Sequence, residues 1–166
     1  MKDLFNDLKR LSNEAKRFIT GTLPREVGKM AEDHFRDSFH NEGFTDETLV
    51  KWPEVERRKE ENQKITKNKK TGKKSSRYSR KQQTSPILTD SGDLGDSIKW
   101  DMDYNKEIVI TTDSEYAQIH NEGGMAGRGK KVKIPKRQFM GPSKQLEKKI
   151  EKTLIRGVDL IFEFKK

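Results

Sequence analysis

His34, His40 and His120 are the only side chains in this sequence whose ordinary titration falls near neutral pH, and there is no cysteine. The absence of cysteine excludes a disulfide framework, a thiolate metal site and a cysteine nucleophile. A Ser-His-Asp arrangement would have to be assembled by the fold, since no nucleophile-elbow sequence occurs. Asp90, Asp93 and Asp96 in the run TDSGDLGDS stand three apart, not at positions 1, 3 and 5 of a calcium loop, and the closing glutamate is missing. That run reads instead as Asp/Ser/Gly turn chemistry leading into a short helix. Gly123-Gly124-Met125-Ala126-Gly127 lacks the Gly-Lys-Ser/Thr that closes a phosphate-binding loop. His-Asn-Glu-Gly occurs twice, at His40–Gly43 and His120–Gly123. It could be half of a histidine-based metal site, but Asn and Gly are also favoured at helix ends, and both copies follow apolar helical stretches. The reading is a non-enzyme with no metal or cofactor; a small hydrolase using His120 with nearby acids is the catalytic alternative.

The second source of chemistry is charge. The chain has 166 residues and 19.3 kDa, with 30% hydrophobic and 38% charged residues, a mean hydropathy of −1.08 and a net charge of +9. That suffices for one domain, or a small domain with a polar segment. Residues 51–84 hold 13 Lys/Arg against 4 Glu, so the rest of the chain is electrically balanced. Lys64, Lys67, Lys69, Lys70, Lys73, Lys74, Arg77, Arg80 and Lys81 follow one another with no acidic residue between them. Between Arg57 and Thr84 only Ile65 and Tyr78 are apolar, too little burial to offset the entropy of ordering. Residues 57–84 therefore read as a disordered, flexible basic insertion in a single domain spanning 1–166. Two roles compete for it: a solvated loop that aids solubility, or nonspecific contact with DNA phosphates. With one interleaved aromatic, base stacking and sequence readout are poorly supported.

No apolar run approaches the ~20 residues of a membrane span, so no membrane partner is expected. The start, MKDLFNDLKRL, has acidic residues and no long apolar stretch, against a secretory signal. A reducing cytosol suits a chain without cysteine.

Several elements are available to position these residues. Leu4, Leu8, Leu11, Ala15 and Ile19 recur at helical spacing over 2–19, Gly21 would end that helix, and Pro24 suits the first turn of a second that runs to about His40. The expectation is an N-terminal helical hairpin. Trp52, followed by Pro53, reads as an anchor for the connector at 44–56. Ile98, Trp100, Met102 and Tyr104 alternate with polar residues, and Glu107–Thr112 can return as an antiparallel partner. Val132–Ile134 suggests a third short strand, and Pro142-Ser143 opens a C-terminal helix to about Arg156. Val158, Leu160, Phe162 and Phe164 alternate, which leaves a last strand and a continued helix both open. The predicted fold class is α+β: the N-terminal helical hairpin and the C-terminal helix packed on a small antiparallel sheet.

Three segments, taken together and in order, resemble the virion morphogenesis proteins of tailed phages, a family that includes Mu-like protein G and related tail completion or neck proteins. Ile87–Ile98 (ILTDSGDLGDSI) is similar to its iLxxTGxLxxSI segment, Tyr116–Gly124 (YAQIHNEGG) to YAxIHxxGG, and Ile134–Gly141 (IPKRQFMG) to iPaRpFlG. Ser91 stands where Thr is usual and Gln138 where Pro is usual, and Lys51-Trp52-Pro53 is similar to an upstream W-x-p connector. The resemblance implies a structural virion protein that assembles as a homo-oligomeric ring and helps complete the tail or join it to the head. Its partners would be tail tube and head-neck proteins, in the virion and in the host cytoplasm during assembly. Under this reading Gly92, Leu94 and Ile98 make a tight turn into the sheet. Tyr116 and His120 pack the segment before the loop at Gly123. Arg137 and Phe139 form either an interface pair or an ordinary loop-to-helix entry with Phe139 in the core.

Overall fold

A computed structural model describes residues 2–59, 66–67, 71–72, 74–75, 78–104, 107–129 and 131–163. Helix α1 (Lys2–Arg17) leads through a π-helical turn, Phe18–Thr22, into α2 (Leu23–His40). Arg17, Thr22 and Leu23 all keep right-handed helical backbone, so the break expected at Gly21 is a widened turn and the two segments follow end to end. Proline explains the widening. Pro24 has no N–H and its ring would press on the preceding turn, and the Leu23 N–H reaches back five residues to the Phe18 carbonyl, loosening that turn.

The C-terminal helix is the antiparallel partner of this N-terminal region. It is labelled α6 (Lys144–Glu163) in chain order. Lys149 acts electrostatically on His34, Thr153 shares a groove with Glu26, and Leu160 and Ile161 share it with Arg10 and Glu14. Gly157 permits the closest approach: a Cβ there would lie 1.9 Å from Phe18 Cζ. This packing also settles the alternating tail. Val158, Leu160 and Phe162 belong to the continued helix. Ser143 caps its start, with Oγ accepting the Leu146 N–H and donating to the Thr45 carbonyl.

The strands form four separate two-stranded antiparallel ladders instead of one sheet: β1 (Gly43–Thr45) with β2 (Leu49–Lys51), β3 (Thr66–Lys67) with β4 (Lys74–Ser75), β5 (Ile98–Met102) with β6 (Ile108–Thr112), and β7 (Gly124–Ala126) with β8 (Val132–Ile134). The β5/β6 hairpin matches its alternating pattern, with Trp100 opposite Ile110. The third strand forms at Val132–Ile134, but it pairs with residues of the glycine-rich loop, where Gly123 at φ +76° turns the chain out of a helix and back on itself. The class is α+β, with α2 lying on β5 so closely that a Cβ at Gly28 would sit 2.3 Å from Trp100 Cε3. Arg36 joins the two by donating to the Ile98 carbonyl at 2.9 Å.

The core runs between α2, the first connector and the later motif segments. Phe39 meets Trp52 edge-on at 5.6 Å and Phe139 at 5.2 Å. Ile98, Ile87, Leu94 and Leu146 close round them. Three short helices complete the fold: α3 (Arg80–Thr84), α4 (Asp93–Asp96) and α5 (Ala117–Glu122).

Within 57–84 the described parts carry local structure where an unstructured stretch is expected. A 3-10 turn spans Glu56–Arg58, β3 pairs with β4, and α3 is opened by a capping box between Ser79 and Gln82. Caps, turns and arginine anchors need no apolar core, which is why composition hid them. The other residues of the insertion lie outside the described residues.

Candidate functional site

Glu42 is placed by the end of α2. Asn41 caps the helix, its N–H bonded to the Asp37 carbonyl, and Glu42 then takes a left-handed backbone at φ +47°. Its carbonyl accepts the Trp52 N–H at 2.8 Å. Its carboxylate accepts both outer guanidinium nitrogens of Arg58, at 2.6 and 2.8 Å, and the Ile87 N–H at 2.8 Å. The Arg58 hydrogen bonds, followed by the Ile87 bond, hold the Glu42 carboxyl at about 2 against the opposing effect of burial.

The two arginines that begin the basic insertion grip its far end. Arg58 Nη2 donates to the Ser85 carbonyl at 2.9 Å, and Arg57 Nη2 donates to the carbonyls of Ser85 and Pro86 at 3.0 and 2.7 Å. Residues 59–84 are thus a basic arm with a closed neck, its two ends fastened to each other and to the end of α2. Nothing in the spacing of Arg58 and Glu42 announced this pair, since Arg57 and Arg58 read only as part of the charge run. The one available signal was the repeated tetrapeptide.

The second copy of that tetrapeptide does a parallel job with a different residue. Asn121 Oδ1 accepts the N–H groups of Phe139 and Met140 at 2.9 and 3.0 Å, and the His120 carbonyl accepts the Arg137 N–H at 2.7 Å. Gly123 ends α5 at φ +76°, so both copies act as helix ends, and each also ties a distant segment down. Arg137 lies buried with its guanidinium on the Pro53 carbonyl at 3.2 Å, and Trp52 Nε1 donates to the Gln138 carbonyl at 2.7 Å. Burial lowers the Arg137 pKa from its ordinary value, and the charge of Arg57 adds to this.

Of the motif residues, Trp52, Leu94, Ile98, Arg137 and Phe139 are all buried within the chain, Phe139 to 1% exposure. Of the two readings for Arg137 and Phe139, the structure places both inside the body. The interface reading fails because the surrounding segments already enclose these side chains. Gly92 takes φ +94° at the start of α4, the tight turn expected before Leu94. Tyr116 departs from expectation: it is 63% exposed and packs little, because α5 turns its Ala117 side inward instead.

Among the basic residues, Lys67 lies in β3, Lys74 in β4, and Arg80 and Lys81 in α3. Lys64, Lys69, Lys70, Lys73 and Arg77 lie outside the described residues.

A cavity of about 530 Å³ opens at the foot of the arm, between Arg57, Tyr78 and Gln82 on one side and the Thr89–Leu94 turn with Tyr116 and His120 on the other. Asp90 and Asp93 are on its lining with His120. Asp93 receives the Ser91 hydroxyl at 2.6 Å, and His120 Nδ1 is buried with no protein partner. Burial, then the charge of Arg137, lowers the His120 pKa, which favours a neutral ring. Among the described residues no group of three or more His, Asp or Glu comes together as a metal site.

Comparison with known proteins bears on the same segments. A stretch of 36 residues, 22% of this chain, is 53% identical to the Mu-like prophage FluMu G protein 2 of Haemophilus influenzae and spans 26% of that protein's length. No solved structure matches the chain significantly. The sequence matches the phage virion morphogenesis family over residues 54–159, which takes in the arm, its neck and all three motif segments. On that match, covering most of the body described above, the chain belongs to the phage virion morphogenesis family.

Proposed function

We propose that this chain is a structural component of a tailed-phage or prophage particle, one that assembles with its own copies into a ring and completes the tail or joins it to the head. The observation that carries the reading is the use of the family's segments as fasteners. Leu94, Ile98, Arg137 and Phe139 are enclosed in the body, and Asn121 and Glu42 hold backbone groups far away in sequence. Such a body offers a rigid shape to neighbours, and cyclic packing of copies is a common way for a chain of this size to form a larger structure. The chain would work in the host cytoplasm during assembly and remain in the virion. Disruption of its gene tests the proposal: particles should accumulate with unfinished or unjoined tails, and the intact chain supplied in trans should restore them. Normal tailed particles without the chain would overturn it.

The basic arm favours a second reading, nonspecific binding of nucleic acid. The whole excess charge of the chain sits in residues 51–84, on a neck closed by Arg57, Arg58 and Glu42. Contact of this kind is electrostatic and weakens steeply with added salt. Deleting residues 60–77 should abolish binding to duplex DNA of any sequence while leaving the folded body intact; unchanged DNA binding would dispose of this reading.

A further inference from the structure

Helices α1 and α6 touch along one row of each, with Glu14 and Phe18 against Gly157 and Ile161. At about 100° per residue, Leu4 and Leu8 on α1 lie clockwise of that contact row, viewed from the N-terminus of the helix. On α6, Leu154, Ile155, Val158 and Phe162 lie clockwise of its own contact row in the same sense. Because the two helices run in opposite directions, an equal sense of rotation turns both rows to one side of the pair. The result is a single apolar face across two helices, with Phe5 at its edge. Its residues are exposed: Phe5 by 68%, Leu8 by 56% and Phe162 by 59%.

We infer that this face is where a second copy of the chain docks, and the inference rests on the self-assembly reading above. Two arguments select that occupant. First, the seven side chains together expose on the order of 800 Å², the share each partner gives to a standard specific interface, and patches of this size are uncommon on monomers. Second, the charges bordering the face complement each other across the pair. Lys9 and Lys16 border the α1 row, while Glu151 and Asp159 border the α6 row, with Lys152 one position further round. Laying α1 of one copy over α6 of another, as a two-fold pair requires, sets the lysines opposite the carboxylates and buries both apolar rows. The basic arm is no alternative cover, since Ile65 and Tyr78 are its only apolar residues between Arg57 and Thr84.

The lack of native cysteine makes the test clean. Full-length chains carrying Leu8→Cys and Phe162→Cys are mixed and oxidised, with Tyr104→Cys on the remote β5/β6 turn as control. Leu8→Glu combined with Val158→Glu is followed by sedimentation velocity. The expected result is cross-linked dimer from the Leu8/Phe162 mixture and none from the control. The double glutamate variant should weaken self-association at least tenfold with its helical circular dichroism retained. Absence of the cross-link while the wild type still forms oligomers overturns this inference and leaves the ring reading standing on some other surface. A wild-type chain that stays monomeric at all concentrations, with or without phage tails, overturns both. Cross-linking through this face in a variant pair whose loss leaves tail assembly normal supports the inference and overturns the ring reading. Should the double variant fail to fold, the cysteine pair decides alone.

Discussion

The Glu42 carboxylate holds both outer nitrogens of the Arg58 guanidinium, at 2.6 and 2.8 Å, and so fastens the first residues of the basic arm to the end of α2. Since the same carboxylate accepts the Ile87 N–H, one side chain fixes where the arm leaves the body and where it returns.

That pair makes stability depend on acid. The Glu42 carboxyl lies at about 2 in the folded chain, below its ordinary 4.5, so its contribution is complete above pH about 4.5 and is lost as pH falls toward about 2. Both partners are partly solvated, which discounts the contribution to about 2 kcal/mol. Urea melts of wild type and Glu42→Gln at pH 6 and pH 3 check this: the wild type should lose more stability over that interval than the variant. Parallel losses would remove Glu42 from the account.

Gly28 lies under the indole of Trp100, where a Cβ would meet ring atoms at 2.3 and 2.4 Å. Gly28→Ala should therefore cost about 1–3 kcal/mol despite the better helix propensity of alanine. Gly21, in the π-helical turn, has nothing within 4 Å of its would-be Cβ. Gly21→Ala should be neutral or stabilise by up to about 1 kcal/mol. Thermal melts of the two variants should move in opposite directions or differ in size by this margin.

Asn121 is the acceptor for two backbone N–H groups at the Phe139–Met140 junction. Asn121→Ala leaves both donors without that acceptor and should cost about 2–4 kcal/mol. Asn121→Asp keeps an acceptor oxygen and should cost much less. Equal losses in denaturant unfolding would show that the amide acts through packing alone.

Burial lowers the pKa of His34, against the raising effect of its Nε2 hydrogen bond to the Thr45 carbonyl at 3.0 Å, and burial followed by the charge of Arg137 lowers that of His120. The unfolded chain then takes up protons first, so the contribution of both residues is complete above pH about 6.5 and is lost as pH falls through the lower folded values. An NMR titration of the ring protons should find both midpoints below 6.5. A midpoint above that value for His120 would place a carboxylate, from Asp90 or Asp93, in direct contact with it.

The sequence was most legible where structure is periodic. The apolar spacing of α2, the alternation Ile98-Trp100-Met102 and the Pro-Ser start of α6 each correspond to an element in the expected place. It was least legible where long-range pairing decides. Glu42 and Arg58 are 16 residues apart and Glu42 and Ile87 are 45 apart, and such hydrogen bonds leave no local pattern. The tail at 158–162 alternates like a strand yet stays helical, because Gly157 lets α6 lie against Phe18. Arg137 and Phe139 looked equally suited to an interface and to the core. Only the closure of Pro53, Phe39 and Asn121 around them decides for the core.

Self-assembly on phage tails is the central claim, and sedimentation velocity of the full chain, alone and with purified tail tubes, combined with electron microscopy of the same samples, tests it most directly. The expected result is a discrete oligomer, ring-shaped in projection, either free or formed at the tail end once tubes are added. A chain that remains strictly monomeric in the presence of intact tails, with no added density at their ends, would contradict the account.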